Sequence, residues 1–98
     1  MKELPVPAQA KTDPKSVEVL RAWIVNDGLQ CMLTPGVFGE NELIVWGILL
    51  SDVANHVADA LEKAQGRDRE ETLKAIQAHF NAEIDSPTED TSGEFRKN

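Results

Sequence analysis

The chain has 98 residues, 41% hydrophobic and 28% charged, the balance of one small globular domain. Ten Lys and Arg stand against seventeen Asp and Glu, for a net charge of −7. No segment is strongly basic, so nucleic acid and an anionic membrane surface are disfavoured as partners. The single cysteine, Cys31, excludes an internal disulfide and a multi-cysteine metal site.

Residues 1–12, with Pro5 and Pro7 and little to bury, are expected to form a flexible arm. Asp13 before Pro14 is a candidate cap for a short turn. Residues 17–25, VEVLRAWIV, are rich in β-branched and aromatic types and predict a strand. Asn26-Asp27-Gly28 reads as a hairpin turn, and residues 29–34, LQCMLT, alternate as the return strand. A two-residue loop at Asp27-Gly28 pairs Asn26 with Leu29, Ile24 with Cys31 and Ala22 with Leu33. One face then carries Leu20, Ala22, Ile24, Leu29, Cys31 and Leu33. The other carries Val19, Arg21, Trp23, Val25, Gln30, Met32 and Thr34, which is not a water-facing composition.

Residues 36–41, GVFGEN, read as a loop, with Asn41 the candidate cap of a helix over about 42–65. Trp46, Leu50, Val53, Val57, Leu61 and Ala64 recur at steps of three and four. Residues 43–50 are apolar all round and could begin as a strand; the stripe running through them in phase favours helix, and Gly47 counts against it. Gly66 ends this helix, and Asp68 with Glu71 resembles a capping box opening the next, over about 68–85. Residues 86–98 read as a disordered acidic tail.

The expected fold is α+β: a β-hairpin (about 17–25 and 29–34) followed by an antiparallel helix pair (about 42–65 and 68–85), in one domain over 13–85. Two helices cover one sheet face and leave the other face and the sheet edges open, a problem that dimerisation solves. A homodimer is therefore expected, with Trp23, Met32, Val25 and Val19 as its association surface. A monomer whose arm or loop folds over that face is the alternative.

Asp52, His56 and Asp59 share one polar helix face. A carboxylate one turn from a histidine can orient the imidazole or join it on a metal. Any polar face of a long helix produces such a triplet, so a solvated face is the favoured reading. No catalytic residue, metal site or cofactor is expected. Cys31 has no cation beside it in sequence and reads as an inert thiol. The longest apolar run, Leu43 to Leu50, is far short of the roughly 20 residues that span a bilayer. The first residues lack a signal-peptide core, and a cytoplasmic protein is expected.

The segments VEVLRAWIVNDGLQCMLTPGVF, WGILLSDVANHVADAL and GRDREETLKAIQAHFNAE resemble a small family of stand-alone bacterial proteins of about 100 residues, known as a domain of unknown function. The resemblance covers about residues 14–87. It implies a short α+β protein and no activity, and it carries over no catalytic residue. Three functions are open at this point. The expected one is a homodimeric protein-interaction or regulatory module without catalysis. The others are a small-ligand or metal-dependent enzyme using Asp52, His56 and Asp59, and a chaperone-like or antitoxin-like partner protein.

Overall fold

A computed structural model describes residues 1–86 and the backbone of residues 96–97. The chain runs α1 (Ala8–Thr12), β1 (Leu20–Val25), β2 (Gly28–Leu33), a 3-10 turn (Gly39–Asn41), α2 (Glu42–Gln65), α3 (Arg69–Asp85) and β3 (Arg96–Lys97). The antiparallel hairpin and the helix pair make the expected α+β fold. Residues 43–50 are helical throughout.

The hairpin turns one residue earlier than the sequence suggests. Asn26 and Asp27, at φ 51° and 66°, are its central residues, and Val25 opposes Gly28. Asn and Asp tolerate this left-handed region better than other side chains. Ile24 therefore faces Leu29, Ala22 faces Cys31 and Leu20 faces Leu33, each partner two residues from the expected one. The expected register would set Leu20 against Pro35, which has no N–H to donate. A shift of two preserves the pleat, so the Leu20–Leu33 face keeps its six apolar members. The first strand begins at Leu20 rather than residue 17, and Thr34 closes the ladder from outside it. Its backbone N–H donates to Val19 at 3.1 Å and its hydroxyl to the Glu18 carbonyl at 2.9 Å.

The helix pair is set by its caps. Gly66, at φ 67°, ends α2 with its N–H on the Glu62 carbonyl at 2.9 Å. Asp68 opens α3 by accepting from the Glu71 N–H at 3.0 Å. Asn41 stands at the start of α2 but makes no capping bond with its side chain. The arm is not uniformly extended, since Ala8–Thr12 form a single helical turn behind Pro7. Asp13 accepts from the Lys15 N–H at 2.9 Å and holds the turn at Pro14. β3 pairs parallel to β2, with Arg96 opposite Gln30 and Lys97 opposite Cys31. The rest of the expected tail, residues 87–95 and 98, lies outside the described residues.

The two halves do not share a core. Among the described residues the hairpin meets the long helices at no more than a marginal contact, and Ala58 of α2 is the one fully buried residue. The turn gives a direct test of the hairpin. A β-branched residue at φ 66° costs about 1–2 kcal/mol, so Asp27→Val should lower the urea midpoint by that much stability. Asp27→Gly should hold or raise it. Equal midpoints for the two variants would contradict the assigned turn.

Candidate functional site

The connector between the hairpin and α2 is organised by Glu42. Its carboxylate accepts from the Trp46 indole N–H at 2.6 Å and from the backbone N–H groups of Phe38 at 3.1 Å and Gly36 at 3.2 Å. The Phe38 ring meets Trp46 edge to face, with centroids 5.9 Å apart. The spacing explains the geometry: residues four apart on a helix share a face, and side chains lean toward the N-terminus, where the loop arrives. The indole hydrogen bond first, then the two backbone donors, hold the Glu42 carboxyl below the usual glutamate range against the opposing effect of desolvation.

Two apolar surfaces flank this clamp. On the helix pair, Val53, Val57 and Leu61 follow one row at steps of four. Leu61 lines an open groove with Ala75, Ile76 and Phe80 of α3. Val53 and Val57 are 44% and 40% exposed, and Phe80 is 49% exposed. On the hairpin, the Leu20–Leu33 face meets the long helices at no more than a marginal contact; Ile24 is 74% exposed, while Leu20, Leu29, Cys31 and Leu33 are half-buried.

The opposite hairpin face holds the four residues expected to associate. Met32 and Val25 are exposed, while Val19 and Trp23 are half-buried. Arg21 shares this face. It is held by both oxygens of Glu18, at 2.9 and 3.1 Å, and by Glu3 of the arm. The arm thus lies along β1, and residues 1–7 together with β1 line a groove of about 870 Å³.

The structure disperses the Asp52, His56 and Asp59 triplet in role. Asp59 accepts from the Arg69 guanidinium at 2.5 Å, and Asn55 accepts from the same guanidinium at 2.8 Å. That hydrogen bond is the main reason the Asp59 carboxyl is held below its usual range. Asp59 thereby ties the first turn of α3 to the second half of α2, whereas Asp52 and His56 are exposed. No three His, Cys, Asp or Glu side chains converge as a metal-binding group among the described residues. Cys31 is half-buried on the apolar hairpin face.

The helical segment Gly39–Gln65 is long enough to cross a membrane and contains an 18-residue window apolar enough to do so, with a mean hydropathy of 1.3, by length and composition only. Asp52 sits near the middle of α2, where a carboxylate costs roughly 2.5–3.5 kcal/mol in a bilayer.

Glu42, Arg69 and Arg21 did not emerge as organising residues from the sequence. The four-residue step from Glu42 to Trp46 was the available signal for the first. Arg69 and Asp59 are ten residues apart and meet only once the helices pair.

With the geometry in place, the comparisons assign the family. The chain matches the family described as "Domain of unknown function (DUF5076)" over residues 3–88, and it belongs to that family. It is similar to a solved structure from the photosynthetic bacterium Rhodopseudomonas palustrus CGA009, named as a "putative pyruvate dehydrogenase". The two are 31% identical, with 92% of this chain and 90% of that chain covered and a TM-score of 0.71. No curated protein matches the chain.

Glu42 sets an acid limit on the connector. Its donors favour the charged carboxylate, so its contribution is complete above the usual glutamate range and is lost as pH falls through the lowered folded value. In a Trp23→Phe background, Trp46 fluorescence should step as the solution is acidified through and below that range. Glu42→Gln should remove the step and lower the urea midpoint at neutral pH. An unchanged acid profile in the variant would contradict the clamp.

Proposed function

We propose that this protein is a homodimeric protein-interaction module that acts by association rather than catalysis, in a cytoplasmic setting. The observation that carries this reading is the exposed apolar surface of the described residues: Val53, Val57 and Phe80 on the helix pair and Ile24, Val25 and Met32 on the hairpin, with Ala58 alone fully buried among them.

The Trp23, Met32, Val25 and Val19 face supplies a further surface for another protein, and the net charge of −7 suits a partner with a basic surface. A chaperone-like or antitoxin-like role draws on the same open surface. The enzyme reading has the neighbour's printed name as its support, and the residues of this chain favour association over it.

Sedimentation equilibrium of the untagged protein across a wide concentration series tests the proposal. The expected mass is twice 10.8 kDa. A mass of one chain that persists to the highest concentration would overturn it.

A further inference from the structure

We infer that the outer edge of β1 takes an extended segment of a partner protein as an added strand, with a carboxylate of that segment on Arg21. This rests on the interaction reading proposed above, names the kind of partner and stands apart from the dimer.

The backbone of β1 supplies the first argument. The sheet runs β1-β2-β3, so β1 lies at its edge. Residues opposed in an antiparallel ladder alternate between bonded and non-bonded pairs. The Thr34 N–H on the Val19 carbonyl makes Val19 and Thr34 a bonded pair, and the register carries the bonding on to Arg21, Trp23 and Val25. The N–H and C=O groups of Leu20, Ala22 and Ile24 therefore point away from β2. Among the described residues no backbone bond reaches them from that side, and Ala22 and Ile24 are exposed. Such a row of alternating donors and acceptors is matched by an extended chain.

The groove beside that edge supplies the second argument. The arm lines it together with Leu20–Val25, leaving about 870 Å³. Pro5 and Pro7 have no N–H to donate to the edge. What ties the arm to the strand is the ion pair of Glu3 with Arg21, and the Glu3 side chain is 59% exposed. Arg21 is the one charged side chain in β1 and β2. Glu18 bonds its Nε and Nη2 atoms, and Nη1 is the atom that Glu3 takes. An Asp or Glu set opposite Arg21 on an added strand takes that atom instead, an opposite-charge pair across the ladder. The next residue on the same face then lies beside Trp23, which selects an apolar side chain two positions from the acid. A second copy does not fit, because its β1 brings an arginine where a carboxylate is required. The acid is a local requirement and leaves the rest of the partner basic, as the net charge of −7 favours.

The test titrates the full chain, labelled with nitrogen-15, with an acetylated and amidated pentapeptide, Val-Thr-Glu-Thr-Val. The peptide reads alike in both strand directions and sets its acid and both valines on one face. Binding should shift the amide signals of Leu20, Ala22 and Ile24 more than those of Arg21, Trp23 and Val25, whose N–H groups face β2. The Gln counterpart of the peptide should bind more weakly by up to about fivefold, the range of an exposed ion pair. Glu3→Gln should tighten the Glu peptide by a similar factor, and Arg21→Gln should level the two peptides. The same peptide N-methylated along its backbone should not bind, a control that leaves the protein unaltered. Equal binding of the Glu and Gln peptides to the unaltered protein would overturn the role of Arg21. No shift at millimolar peptide would overturn the edge itself. Shifts confined to the helix pair would also overturn it and leave association as the function. Shifts of the three edge amides with protein concentration alone would put a second copy on the edge and equally overturn it. Sedimentation reads the dimer separately, so its failure and this one are distinguishable.

Discussion

Glu42 accepts hydrogen bonds from an indole and two backbone amides at one carboxylate, and this turns six residues of connector into an extension of α2. A mobile loop would let the hairpin sample many positions over the helices. A clamped one fixes the angle at which the sheet leaves them. Thr34, bonded into the hairpin on the other side, leaves Pro35 as the joint. The hairpin and the helix pair meet at no more than a marginal contact, and the clamped connector is what sets one beside the other.

The energetics of the isolated chain point the same way. Fully burying a Val, Leu, Ile or Phe side chain contributes about 1.5–3 kcal/mol, and ordering each backbone residue costs about 1–2 kcal/mol. With Ala58 its one fully buried residue among those described, the single chain has little to set against that cost. The interactions it does make are chiefly local or polar: two caps, the Arg69 tie between the helices and the Arg21 cluster at the arm. These orient elements and contribute modestly to stability.

Much of the fold was legible because its signals are local. The β-branched run before Asn26-Asp27-Gly28, the αL glycine at 66 and the Asp68 cap each act within a few residues, and they locate the hairpin and both helices. The hairpin faces were also legible despite the wrong register, because an error of two residues leaves the pleat unchanged. What was not legible depends on contacts between elements. Asp59 looked like part of a helix-face triplet until Arg69 arrived from α3. Glu42 looked like a charge beside a glycine-rich loop until that loop folded back onto it. The sequence analysis also expected the helices to cover one sheet face. Nothing in hydrophobic periodicity says which face of which element the helices meet.

The family assignment gives no activity, so the account stands on how the chain closes its core. A sample mixing carbon-13-labelled and unlabelled chains tests this most directly, through isotope-filtered nuclear Overhauser contacts between copies. The account predicts contacts between copies from the exposed methyl groups of Val53 and Val57. The same contacts found only within a single chain, with none crossing between copies, would contradict it.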